Sequence, residues 1–285
     1  MSLKDMSQIS SNIIISEGQA LTINASAGTF DYRFPYAYPS SGEEKLALQS
    51  LALYLSWFNV TSDFNNTTGL SYTWSDGVNY PVVFPPGFYT LAQLNLYLQF
   101  VMTQNGHYLM NTAGAKVFYL SFITNQIYYT VTLTATPVPT ALPVGWTAPV
   151  GFVYPVSAIT PQMVVGATNW GRLIGYSAGS YPPAPSAVTM NYNSTFTPQA
   201  TPITQVMVLC DWSNDGRFSY NPSVIASFVP NVAFGEMISF TPPVLTWYSV
   251  ARRVYNGMKI SLVDQNYRPL ALNDTSQSTF TLLVQ

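Results

Sequence analysis

Apolar character in this chain comes in short runs, and that limits the fold more than any other feature. β-Branched and aromatic segments are cut at close intervals by Gly, Pro, Asn and Asp, as in "LSYTWSDGVNYPVVF" (Leu70–Phe84), where Asp76-Gly77 separates two such runs. Runs this short, bounded by turn formers, predict antiparallel strands, and Asp-Gly between them predicts a tight hairpin. "LALYLSWFNV" (Leu51–Val60) is apolar enough for a strand covered on both faces. "NIIIS" (Asn12–Ser16) and "ALTIN" (Ala20–Asn24) flank Glu17-Gly18-Gln19 and predict a first hairpin; "KVFYLSF" and "QIYYTVTLT", separated by Ile123–Asn125, predict another. Beyond residue 200 come "ITQVMVLC", "SVIASFV", "AFGEMISF", "VLTWYSV", "MKISLV" and "TFTLLV", so that Met258–Gln285 reads as strand, turn, strand. About a dozen strand candidates result, enough for the eight of a jelly roll plus extra hairpins and too few for two jelly rolls.

One segment has a different period. In "PPGFYTLAQLNLYLQFVMTQNG" the residues Leu91, Leu94, Tyr97, Leu98 and Val101 recur at three- and four-residue spacing, Thr90 is placed to cap the start, and Asn105-Gly106 ends the run. The spacing predicts an amphipathic helix near 90–104, and a weaker pattern predicts a second over Ala167–Ile174. Pro137 to Pro185 is dense in Pro and Gly, which excludes a central strand over most of it. With Trp146, Phe152, Tyr154 and Trp170 inside it, the segment reads as a long ordered insertion. The expected fold is all-β, a single jelly-roll β-sandwich with one or two short helices. Residues 1–136 form its first part, 137–185 the Pro/Gly-rich insertion and 186–285 its second part.

Composition then bears on function. Charged residues make up 8% of the 285 and hydrophobic ones 48%, whereas ordinary soluble domains carry roughly 25% charged residues. A surface so poor in ions is the kind that other subunits cover. A formal net charge of −2 with ten Lys and Arg argues against a specific nucleic-acid binder. No run of about 18 apolar residues marks a membrane span, and "MSLKDMSQISSN" lacks the apolar core of a secretion signal, so synthesis inside the cell is expected. Cys210, the single cysteine, allows no internal disulfide and sits in an apolar run as a small core residue. Sequons at Asn24, Asn59, Asn65, Asn66, Asn193 and Asn273 are what a chain rich in Asn, Ser and Thr produces by chance.

Chemistry is hard to assemble from these residues. His107 is the sole histidine, so neither a zinc set nor a Ser-His-Asp triad has obvious members. Asp211 and Asp215 in "CDWSNDGRF" fit turn chemistry better than the facing carboxylates of a glycosidase, and they lack the ligand pattern of a calcium loop. Gly166, Gly171, Gly175 and Gly179 lack the Lys and the flanking elements of a phosphate loop. No catalytic, cofactor or metal residue is assigned, and no enzyme activity is expected. Arg252 and Arg253, the only basic doublet, stand beside Trp247 and Tyr248. These four are the candidate subunit interface, with a solvated strand end as the alternative reading.

Taken in order, "ALQSLALYLSWFNV", Asn65-Asn66, Tyr72, "FPPGFYTLAQLNLYLQ", "GRLIGYSAGSYP" and "SFVPNVAFGEMISFTPPVLTWYSVARRVYNGMKISLVDQNYRPLAL" resemble the jelly-roll capsid proteins of virophages and the related Maverick/Polinton elements. The resemblance runs from about residue 45 to the C-terminus, departing at Leu173–Tyr176, where "LIGY" replaces a more usual Leu-Gly-Phe. It implies a shell built from a double jelly-roll major capsid protein and a single jelly-roll penton protein, and the strand count favours the penton. The implied role is structural: homopentamers at the icosahedral fivefold vertices of the virion, made and assembled inside the host cell. The implied partners are copies of itself, the double jelly-roll major capsid protein, and minor capsid or cement proteins. A host-attachment spike or carbohydrate-binding β-sandwich, and a minor cement protein, stand as alternatives.

Overall fold

The computed structural model describes residues 11–16, 21–61, 69–167, 169–213 and 223–285. The chain divides into two compact units: unit 1 is Met1–Trp57 with Ile203–Gln285, and unit 2 is Phe58–Pro202. Unit 1 begins with β1 (Ser11–Ser16), β2 (Leu21–Asn24), β3 (Thr29–Pro39) and β4 (Lys45–Tyr54). Unit 2 then supplies β5 (Leu70–Thr73), β6 (Asn79–Val82), helix α1 (Leu91–Gln104), β7 (Leu109–Met110), β8 (Lys116–Val117), β9 (Leu120–Asn125) and β10 (Thr130–Ala135). It continues with β11 (Gln162–Val165), helix α2 (Trp170–Ile174), β12 (Gly179–Tyr181) and β13 (Met190–Asn193). The chain returns to unit 1 for β14 (Val206–Cys210), β15 (Ser223–Phe228), β16 (Met237–Phe240), β17 (Tyr248–Ser249), β18 (Val254–Asp264) and β19 (Thr279–Val284).

Unit 1 has two sheets, ordered β1-β19-β4-β16 and β15-β14-β18-β3-β2, with β17 pairing beside β16 on β4. Setting aside the flanking β2 and β17, eight strands remain. First pairs with eighth (β1, β19), second with seventh (β3, β18), third with sixth (β4, β16) and fourth with fifth (β14, β15), all antiparallel. Pairs alternate between the sheets, which is the wrapping of a jelly roll. One core fills the space between them: Phe30 of β3 meets Phe280 of β19 at 4.9 Å between ring centroids, among Leu46, Leu48, Val208, Cys210, Ile260 and Leu282. Cys210 is fully buried, as its apolar run predicts.

The expected first hairpin is not formed. β1 and β2 lie in different sheets and do not pair with each other. The closing segment behaves likewise: β18 lies in one sheet and β19 in the other, where β19 is an interior strand between β1 and β4. Propensity marks each strand correctly, but the partner is chosen by the sheet that buries its apolar face.

Unit 2 enters between the third and fourth jelly-roll strands and has its own core. Its described strands form a β12-β11-β5-β6 sheet, a β13-β10-β9 sheet and the small β7-β8 pair. The predicted β5–β6 hairpin is present, with Gly77 at φ 78° in its turn, as is β9–β10, whose turn falls a few residues later than expected. Helix α1 starts at a capping box in which Thr90 and Gln93 exchange side-chain and backbone bonds. It buries Leu94, Leu98 and Met102, and Asn95 Oδ1 accepts from the Phe122 N–H of β9 at 2.9 Å. The second helix, α2, is one short turn over part of the predicted span.

The boundaries therefore differ from the expected partition: residues 137 and 185 both fall inside unit 2. The Pro/Gly-rich segment supplies β11, α2 and β12, and with them Met163, Trp170, Ile174 and Tyr176, all fully buried. Trp170 packs on Phe84 at 4.6 Å. Tyr176 Oη lies 2.8 Å and 2.7 Å from the Val131 and Tyr192 carbonyl oxygens and accepts from the Leu133 N–H at 3.0 Å. Proline density signals irregular backbone, yet these aromatic side chains place the segment in the core.

Candidate subunit interface

The four interface candidates run from Trp247, just before β17, through Tyr248 within it, to Arg252 and Arg253, just before β18. Tyr248 is paired through its backbone with Leu46 of β4. Two cross-links hold the residues after it: Val250 N–H donates to the Glu44 carbonyl at 3.0 Å and Ser40 N–H to the Arg253 carbonyl at 2.9 Å. Residues 40–44 form a tight loop whose carboxylate is its own cap. Glu44 accepts from the Ser41 and Gly42 N–H groups at 3.0 Å each and from Ser40 Oγ at 2.8 Å. These bonds, the Ser41 N–H foremost, hold its carboxyl down to about 2.

The two arginines are used differently. Arg253 lies over the Tyr255 ring, 4.3 Å from its centroid, and its Nη2 reaches the Asp211 carbonyl oxygen at 3.3 Å. Tyr255 belongs to an aromatic group around fully buried Trp212, which it meets at 4.4 Å, with Phe34 and Tyr38 each at 5.2 Å. Trp212 Nε1 donates to the Gly257 carbonyl at 2.8 Å, at a bulge where β18 slips register against β3. A Cβ on Gly257 would run into the Tyr32 carbonyl oxygen, so glycine is required for this close approach. Arg253 thus closes an aromatic stack within its own subunit. Arg252 is exposed, beside Gly42, and makes no ion pair or side-chain hydrogen bond among the described residues.

Tyr248 leads to a feature that sequence reasoning missed. It borders a cleft of about 380 Å³ with Leu48, Ala226, Phe240, Pro242 and Val244. β15 and β16 are edge strands of the two sheets, brought together where Phe228 stacks on Phe240 at 5.1 Å. Val229, Phe234, Met237, Val244 and Leu245, in or beside these strands, are exposed. The available signal was the density of apolar residues and prolines in "SFVPNVAFGEM" and "TPPVLTW".

The remaining candidates do not converge on chemistry. Asp211 is exposed and its Oδ1 accepts from the Lys259 N–H at 2.8 Å, a structural use; Asp215 lies outside the described residues, as do Asn65 and Asn66. His107 is buried in unit 2 among aromatic rings. Asn59, at the head of one sequon, is buried, its side chain bonded to Tyr89 and to the Ala200 carbonyl. Among the described residues no group of three or more His, Cys, Asp or Glu is placed to hold a metal ion, and no helix is long and apolar enough to cross a membrane.

No known sequence family matches the chain, and no curated protein does. Among solved structures, the mavirus penton protein is similar over 97% of this chain and 99% of its own, with a TM-score of 0.50 and 9% identity. A chain from the Sputnik virophage structure covers 97% of this chain and 96% of its own at a TM-score of 0.40 and 12% identity. The chain is therefore an all-β protein similar in fold to the mavirus penton protein.

Proposed function

We propose that this chain is a structural virion protein, a penton capsid protein of which five copies close each fivefold vertex of an icosahedral shell. The observation that carries this reading is the jelly-roll strand order of unit 1 within a likeness that spans the whole mavirus penton protein. The low ionic content supports it, because a surface with 8% charged residues is suited to burial against copies of itself. A fivefold ring uses heterologous contacts between two different flanks of one subunit. The sandwich has two such flanks, one ending in β15 and β16 and the other in β1 and β2.

On this reading Arg252, Arg253, Trp247 and Tyr248 lie at the subunit interface, with Arg252 available for a carboxylate of the next copy and Arg253 holding the shape behind it. The double jelly-roll major capsid protein is the expected neighbour, together with minor capsid or cement proteins. The location is the virion vertex, after assembly inside the host cell. Mass measurement of the purified protein, alone and mixed with its major capsid partner, tests the proposal. Pentamers in either sample are the expected result. A stable monomer that joins no shell overturns it, and glycan binding by such a monomer would favour the attachment-spike alternative.

A further inference from the structure

The chain's single histidine is built into a cage inside unit 2. His107 Nδ1 lies 2.8 Å from Tyr72 Oη, and Asn105 Nδ2 donates to that same oxygen at 2.8 Å. An amide nitrogen can only donate, so the phenol's own proton goes to the imidazole. Nδ1 is therefore the acceptor, and the ring proton sits on Nε2. The ring lies flat on Trp74, with centroids 4.4 Å apart and 9° between planes, and meets Tyr80 edge-on at 4.5 Å. Its backbone N–H bonds the Met102 carbonyl of α1 at 2.8 Å. One residue thus ties the end of α1 to both strands of the β5–β6 hairpin.

We propose that His107 is an acid-sensitive latch: uptake of a proton at Nδ1 breaks the Asn105–Tyr72–His107 relay and loosens the β5–β6 hairpin from the end of α1. Once Nδ1 carries a proton, Tyr72 Oη faces two donors and its own hydrogen loses its acceptor in a buried place. The charge that faces the ring is Asp76, in the turn between β5 and β6, which favours protonation. Its carboxylate is already engaged by Tyr80 Oη at 2.7 Å and the Val78 N–H at 2.8 Å. The other titratable neighbours are the phenols of Tyr72 and Tyr80. Burial pushes both upward, Tyr80 to about 12, so they stay neutral throughout.

Burial outweighs Asp76 and pulls His107 from 6.5 to about 4. By linkage, a fold that holds the neutral ring has its full advantage above 6.5 and loses it as the pH falls from there toward 4. Between pH 7 and pH 5 the loss from this one group is about 20-fold in the closed-to-open equilibrium.

Because the chain has one histidine, proton NMR of the full-length protein yields one imidazole titration. A midpoint well below 6.5 is expected. Hydrogen exchange, corrected for the intrinsic pH dependence of the chemical step, should show protection over residues 70–82 falling about 20-fold from pH 7 to pH 5, with β18 unaffected. His107→Gln retains an acceptor and cannot be protonated, so its protection over 70–82 should not depend on pH. Tyr72→Phe, lacking the phenol that donates to Nδ1, should titrate at a higher pH than the native protein. A native midpoint near 6.5, unchanged protection over 70–82, or an equal acid loss in His107→Gln overturns the proposal.

Discussion

Units 1 and 2 are made of the same kind of strand but are connected in opposite ways. In unit 1 most pairs join distant parts of the chain, β2–β3 and β14–β15 excepted: Ser11 stands opposite Val284 and Tyr32 opposite Met258. In unit 2 several pairs are local hairpins, as in β5 with β6, β7 with β8 and β9 with β10. A local pair is specified by its turn, a distant pair by which surface ends up buried. Both units bury polar groups, Asp264 and Ser56 among those of unit 1, but in unit 2 they include a histidine: His107, Tyr72 and Tyr176 are buried there with their hydrogen bonds satisfied.

The largest expected effect separates the units by deletion. Removing 58–202 and joining Trp57 to Ile203 through a short Gly/Ser linker should leave the sandwich folded, because all eight jelly-roll strands remain. Removing only 137–185 should instead unfold unit 2, since β11, α2 and Trp170 go with it. Limited proteolysis with near-ultraviolet circular dichroism reads both. Survival of a cooperative unit 2 without 137–185 would mean that this segment is an appendage after all.

Next come paired core truncations. Phe280→Ala should cost unit 1 about 3–5 kcal/mol and Trp170→Ala should cost unit 2 a similar amount, as is usual for deleting a buried aromatic side chain. Denaturant unfolding monitored separately in each unit by hydrogen exchange would show each substitution acting on its own unit. Equal effects of one substitution on both would break the distinction. The smallest effect on stability is expected at Arg252→Ala, within about 0.5 kcal/mol, because the side chain is exposed and unpaired among the described residues. Self-association measured by analytical ultracentrifugation should nonetheless weaken. If association is untouched while stability falls, Arg252 has a role inside its own subunit.

Local chemistry in the sequence revealed much of this. Thr90 and the three- and four-residue spacing after it located α1, Asp76-Gly77 located the β5–β6 turn, and the run around Cys210 announced a buried strand. The candidate interface was legible only in part. Arg252 and Arg253 are indistinguishable as letters, and nothing local says that Arg253 turns onto Tyr255 while Arg252 stays in solvent. The cleft beside Tyr248 was not legible, because its walls come from β4, β15 and the residues after β16.

What the residues determined unaided was the element type and the poverty of charge, since hydrophobic period, turn formers and composition act over a few positions at a time. Tertiary structure decided which strands became neighbours, where the inserted unit began and ended, and that one histidine would lie sealed between Trp74 and Tyr80. These outcomes come from burial of apolar surface between segments tens to hundreds of positions apart, and no local pattern encodes that choice.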